Sequence, residues 1–174
     1  SIVGLRDPSY GRDTHDNASR LIIEILRVSR EAQYVPASDR CEDPLLSTLE
    51  STDTVSSILA QMFTGEKCES TIINSIEILI ALIEARKPVV GLYQQNTFGG
   101  DPELQPEDVD KQECFIMATL ETLVPSLVKF HELLLHPPVK SPINTTAGIL
   151  DPPLGSTRLN IAKFLALLLA TNNL

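Results

Sequence analysis

Between Lys140 and Arg158 the chain carries Pro142, Pro152 and Pro153, and immediately beyond it comes the most apolar helical stretch of the sequence. Each proline lacks an amide donor and restrains its predecessor to extended backbone, so no regular helix runs through this crossing, and its surroundings are expected to hold it in place. From Ser156 onward Leu159, Ala162, Phe164, Leu165, Leu167, Leu168 and Leu169 make a helix apolar nearly all round, the pattern of an element enclosed by neighbours. Such a helix needs partners on several sides. The sequence therefore predicts a portion of a longer helical array, with this helix between two layers.

The earlier chain reads as helices separated by proline and glycine stops. Ser1 to Leu5 reads as the tail of an element and Asp7 to Asp13 as a turn. A first helix is expected from Asp16 or Asn17, with Leu21, Ile22, Ile25 and Val28 on its buried face, ending before Pro36. Asp43-Pro44 is a start signal, a capping carboxylate followed by proline at the first helical position, and predicts a short helix; Ser47 with Glu50 offers a capping box. Asp53 opens the next helix, with Val55, Ile58, Leu59, Met62 and Phe63 on one face and Gly65 closing it. Ser70 to Ala85, rich in isoleucine but interleaved with Glu77 and Glu84, predicts a buried helix stopped at Pro88.

Val90 to Gln105 has no period and predicts a surface loop. Glu107, Asp108 and Asp110 suit the start of a further helix, whose face is Phe115, Ile116, Leu120, Leu123 and Val124. Pro125 kinks that helix or begins another. Leu127, Val128, Leu134 and Leu135 are expected to continue the buried side up to Pro137-Pro138.

Two helices resemble each other. Ser70-Thr-Ile-Ile-Asn74 precedes Leu79 and Leu82 as Ser156-Thr-Arg-Leu-Asn160 precedes Leu165 and Leu168, an offset of 86 positions. That is about twice the roughly 40–47-residue period of armadillo and HEAT repeats. The expected fold class is all-α: an irregular armadillo- or HEAT-like α-solenoid, or a helical bundle. Leu79, Leu82, Leu165 and Leu168 are expected in the core.

Charge and cysteine content narrow the function. A net charge of -9 leaves no basic face of the kind that draws nucleic acid or anionic lipid, so neither is expected as a partner. The longest apolar runs are too short and interrupted for membrane insertion. Cys41, Cys68 and Cys114 are odd in number and widely spaced, and no signal segment is seen, which predicts a reducing cytoplasmic or nuclear setting.

A search for chemistry finds no convergent set. His131 and His136 are five apart, which does not place two ligands on one helical face, and His15 is expected in a turn. Gly99-Gly100 lacks the lysine of a phosphate loop. The cysteines read as small core hydrophobes. No catalytic residue, cofactor or metal is expected. Ser141-Pro142 matches a proline-directed phosphorylation site.

Longer motifs carry a resemblance. Phe130-His-Glu-Leu-Leu-Leu-His-Pro-Pro138, Lys140, the run from Thr145-Thr-Ala-Gly-Ile-Leu-Asp-Pro-Pro to Leu159, and Leu-Leu-Ala-Thr-Asn172 resemble the SAPS-domain family, the regulatory subunits of protein phosphatase 6 and their yeast counterpart. Asp16-Asn-Ala-Ser19, Asp43 to Glu50, Glu69-Ser70 and Leu82 to Arg86 agree with it, while Ser1 to Arg12 and Gly99 to Asp110 depart. Family members are longer, so residues 1–174 are expected to form one internal portion of such a domain.

The resemblance implies a non-catalytic scaffold that binds a protein phosphatase 6-type catalytic subunit and assembles it with ankyrin-repeat regulatory subunits. A helical-repeat adaptor for peptides or trafficking proteins is the alternative, and an enzyme the remoter one. The crossing is the candidate partner interface or brace, through Lys140, Thr145, Thr146, Asp151, Pro152, Pro153 and Arg158. Arg158, a cation at the positive end of a helix dipole, calls for a compensating partner: either a bound protein or a salt bridge to Asp151 across the turn.

Overall fold

A computed structural model of the chain describes residues 10–32, 43–64, 68–84 and 106–171, with side chains from 110 onward in the last segment. The elements are helices α1 (Arg12–Glu31), α2 (Pro44–Leu49), α3 (Thr52–Phe63), α4 (Glu69–Ile83) and α5 (Pro106–Leu123), a 3-10 turn (Val124–Ser126), α6 (Leu127–Leu135), strands β1 (Ile143–Thr145) and β2 (Gly148–Leu150), and α7 (Gly155–Ala170). Among the described residues the fold is all-α apart from this one small hairpin. The expected stops at Pro36, Gly65 and Pro88, the Val90 to Gln105 loop and Cys41 lie outside the described residues.

Helix α4 is the centre. Ile72, Ile76, Ile78 and Leu79 along it have no exposed surface. Helices α1 and α7 pack on it, α3 packs on both α4 and α5, α6 packs on α7, and α2 packs on α1. Helices α1 and α4 run in the same direction, because polar side chains join them at both ends. Near the N-termini His15 Nδ1 meets Ser70 Oγ at 2.7 Å and Asn74 Nδ2 donates to Asp16 Oδ1 at 2.7 Å. Near the C-termini Arg30 donates to the carbonyls of Ala81 and Leu82.

At the C-terminal side of the core three rings fill the space between α3, α6 and α7. Phe63 meets Phe130 edge-on with centroids 5.2 Å apart, and Phe130 lies 5.3 Å from Phe164. Edge-to-face geometry suits the ring quadrupoles, and Lys129 Nζ stands 5.3 Å from the outer ring, Phe63.

Local signals formed α2 and α3 as their sequences predict. Asp43 Oδ1 accepts from the amides of Leu45 and Leu46, and Pro44 takes the first turn of α2, where its missing amide costs nothing. Val55, Ile58, Leu59 and Met62 are buried on one face of α3. Its cap is Ser51, whose Oγ accepts from Thr54 N, two residues before the expected opening at Asp53.

Four expectations are corrected. Helix α1 begins at Arg12, four residues before Asp16, and buries His15, Ala18, Ser19, Ile22, Leu26, Ser29 and Arg30, leaving Leu21 and Val28 half exposed. His15 and Arg30 of this face find partners at Ser70, Glu50 and the carbonyls of α4, while the Ser19 hydroxyl is buried without one, and His15 is a buried helical residue, not part of a turn. On α6 Phe130 and Leu133 are buried, while Val128 and Leu135 are exposed. The 3-10 turn containing Pro125 advances about 120° per residue instead of 100°, which rotates the following face by about 60° over three residues.

Helix α7 is covered on one side: Thr157, Ile161, Phe164 and Leu168 are buried, Leu165 is half-buried, and Leu159 and Leu169 are exposed. The crossing, finally, is not enclosed. Residues 141–152 are all exposed, and within them β1 and β2 pair antiparallel with Ile143 opposite Leu150 and Thr145 opposite Gly148.

The helical run Asp110–Leu135 is long and apolar enough, by length and composition, to cross a membrane. Its buried apolar side chains, Ile116, Leu120, Leu123, Phe130 and Leu133, belong to the same core as those of α3, α4 and α7. A core helix meets that length and composition test equally well.

Candidate functional site

The crossing is built on one carboxylate. Lys140 Nζ lies 2.8 Å from the Oε1 of Glu69 in the first turn of α4. Thr157 Oγ1, in the first turn of α7, reaches the same oxygen at 3.5 Å, the long limit of a hydrogen bond. Glu69 therefore ties the start of the crossing to the start of the helix that follows it. Helix α7 starts at Gly155, whose φ of +72° is a left-handed conformation that side chains rarely adopt.

The sequence-predicted residues divide between brace and surface. Lys140 is half-buried and paired, Pro153 is buried, and Thr145, Thr146, Asp151 and Pro152 are exposed. Thr145 Oγ1 donates to Gly148 O at 2.7 Å and accepts from Ala147 N at 3.3 Å, so its hydroxyl is occupied within the hairpin turn. Asp151-Pro152 is a cis peptide. Ser141 and Pro142 are both exposed ahead of β1. No ion pair joins Arg158 to Asp151 among the described residues. Arg158 Nε is buried without a hydrogen-bond partner, so of the two alternatives for Arg158 the salt bridge across the turn is not formed.

A shallow cavity of about 380 Å³ lies beneath, walled by Pro137, Pro138, Pro152 and Pro153, with Glu69, Lys140, Asp151 and Arg158 as its charged lining. Val139, fully exposed, and Leu154 also line it, and on the hairpin Ile149 is 70% exposed and Ile143 and Leu150 are open to solvent.

Elsewhere the side chains do not assemble chemistry. Among the described residues no three His, Cys, Asp or Glu converge as metal ligands. Cys114 is exposed and free, not a core hydrophobe, and Cys68 is half-buried and free. Cys68 stands at the start of α4. Burial raises its thiol pKa, but hydrogen bonds with Ser70 and Thr71 outweigh that and hold it below the ordinary value. Sequence reasoning missed Arg30 and the hairpin, the two features whose partners lie far along the chain or whose turn carries no strong signal.

The architecture and this surface can be set beside known proteins. The model of the family described as "SIT4 phosphatase-associated protein" matches residues 1–174. The chain belongs to the SIT4 phosphatase-associated protein family. Serine/threonine-protein phosphatase 6 regulatory subunit 3 of Gallus gallus is 38% identical over 98% of this chain and 19% of its own length. Regulatory subunit 1 of Mus musculus is 40% identical over 95% of this chain and 20% of its own. Regulatory subunit 2 of Homo sapiens is 35% identical over 98% of this chain and 17% of its own. The chain thus spans a minor part of the length of these relatives. No solved structure matches it.

Proposed function

We propose that this chain is part of a non-catalytic regulatory subunit that binds a protein phosphatase 6-type catalytic subunit. The observation that carries the reading is the family match over residues 1–174, with relatives named as regulatory subunits of serine/threonine-protein phosphatase 6. The assembly takes place in the cytoplasm or nucleus, and ankyrin-repeat regulatory subunits join it; neither nucleic acid nor membrane insertion is part of the role. The β1–β2 hairpin with its exposed Ile149 and Leu150 supplies the contact, and the Glu69 brace fixes where the hairpin stands. Thr146 lies at the edge of that contact, and Ser141-Pro142, exposed beside it, is a proline-directed phosphorylation site.

The test is capture of a Ser/Thr phosphatase catalytic subunit by the full-length protein. Wild type should recover it. Ile149→Asp with Leu150→Asp should lose it at an unchanged Tm, because neither side chain contributes to the core. Failure of the wild type to recover any such catalytic subunit would overturn the reading and favour an adaptor for peptides or trafficking proteins. Full recovery by the double variant would move the contact away from the hairpin.

A further inference from the structure

The offset of 86 that relates the openings of α4 and α7 holds for their surfaces. Asn74 Nδ2 donates to Ser70 O at 2.8 Å, and Asn160 Nδ2 donates to Ser156 O at 3.1 Å, the same bond at the same place in each helix. The offset sets Thr71, Ser75, Ile78 and Leu82 of α4 on Thr157, Ile161, Phe164 and Leu168 of α7, and all eight are buried. One face of the two helices is therefore used alike.

The neighbouring stripe is not. In α4 it is Ile72, Ile76, Leu79 and Ile83, each essentially without exposed surface. Carried forward by 86 it becomes Arg158, Ala162, Leu165 and Leu169, of which Arg158 and Leu165 are half-buried, Ala162 is exposed and Leu169 is 68% exposed. Glu69 begins the α4 stripe at heptad spacing from Ile76 and Ile83, and it is the residue that meets Thr157. Helix α7 thus lies on that side of α4. Helix α1 reaches α4 elsewhere on its circumference, through Ser70, Asn74 and the carbonyls of Ala81 and Leu82. The open stripe on α7 is the place where a helix would sit if it stood to α7 as α7 stands to α4.

We propose that the Arg158–Ala162–Leu165–Leu169 face of α7 is covered by a further helix of the same polypeptide. That helix is apolar along its contact stripe and brings a carboxylate level with Arg158. Two independent observations support this occupant. Arg158 takes the place of the fully buried Ile72 and is half-buried with no ion pair among the described residues, so an element that covers its guanidinium has to bring a carboxylate to it. The relatives provide the chain for it, since this sequence spans only 19% of regulatory subunit 3 of Gallus gallus. In helical stacks each unit buries its apolar face only on its neighbour, which gives Leu165 and Leu169 a reason to be leucine. The inference does not depend on the phosphatase reading.

The test uses the full-length polypeptide, purified without phosphatase, with its native cysteines replaced and Leu169→Cys introduced. Maleimide labelling of the native protein should be slower than labelling in denaturant by about tenfold or more, as expected for a site that reacts only on local opening. The protection should persist on roughly 100-fold dilution, since an intramolecular contact has no concentration dependence. Arg158→Glu, which opposes a carboxylate, should raise the native labelling rate while leaving the denatured rate unchanged. Labelling as fast in the native as in the denatured protein would overturn the proposal. Protection that disappears on dilution would overturn it in favour of a second copy, and an Arg158→Glu variant labelled no faster than its parent would remove the carboxylate from it.

Discussion

Arg30 donates from Nε to Glu50 Oε1 at 2.7 Å while its terminal nitrogens reach the carbonyl oxygens of Ala81 and Leu82 at 2.7 and 2.8 Å. One guanidinium therefore closes the C-terminal end of α4, completes the last turn of α1 and holds Glu50 just after α2. The last carbonyls of a helix have no partner within it, and here a buried planar cation satisfies them. Arg30→Ala would break the Glu50 ion pair and leave the Ala81 and Leu82 carbonyls without this donor, at an expected cost of about 3–5 kcal/mol in a denaturant titration. Arg30→Lys should recover only part of this, because one ammonium does not span the Glu50 carboxylate and two carbonyls of α4 as the planar fork does.

At Asp43 the expected effects depend on pH. A hydrogen bond from Ser29, followed by those from the Leu46 and Leu45 amides, holds the carboxyl below its ordinary pKa. A depressed pKa means that the folded protein favours the ionised form. The stabilisation is complete above the unfolded-state value and is lost as pH falls through the folded one. Wild type should accordingly melt above Asp43→Asn at neutral pH, and the two should converge in acid below the usual carboxylate range. Asp43→Ala should melt lowest at neutral pH, since it alone removes the cap acceptor. Equal melting of all three at neutral pH would contradict the cap.

Leucine truncations along α7 should grade with enclosure. Phe164→Ala, which opens space beside Phe130, and Leu168→Ala, equally enclosed, should cost about 2–5 kcal/mol. Leu165→Ala, half-buried, should cost less, and Leu169→Ala should be nearly neutral in the 174-residue chain. Thermal melts of the four variants check the order.

The Lys140–Glu69 pair is about one-third exposed on each side, so its loss should change global stability by about 0–1 kcal/mol. Its effect should be local. Glu69→Gln and Lys140→Ala should each speed amide hydrogen exchange across residues 139–158 while leaving exchange in α4 beyond its first turn unchanged. Uniform acceleration throughout the chain would mean that the pair supports the whole fold.

These outcomes also mark how far the sequence could be read. Helices α2, α3 and α4 were legible because cap, proline and apolar period agree locally: Asp43 before Pro44, Val55 through Met62, and the isoleucines of α4. Helix α1 was expected, but its start and its polar buried residues were not, because the partners of His15 and Arg30 are Ser70 and carbonyls more than 50 residues away, and periodicity of apolar residues carries no trace of that. The hairpin escaped because its two-residue turn is Thr146-Ala147, without the Asn-Gly or Asp-Gly signal, and only Gly148 at φ +131° hints at it. In α7 leucines occur all round the helix, so composition alone could not tell the covered side from the open one. For the candidate surface, the prolines and Arg158 were visible in sequence, but Glu69, the residue that organises them, lies about 70 positions earlier than Lys140 and reads as an ordinary first-turn acid.

The exposed hairpin has a consequence for how the chain can be cut and rejoined. Its strands pair with each other, and its residues 143–150 contribute nothing to the core. A protease that severs the Thr146–Ala147 bond would leave α7 attached through its packing on α4 and α6, so the nicked product should migrate as one species until denatured. The same tip is where extra residues, from a short epitope to an inserted domain, can enter the chain without passing through the helices.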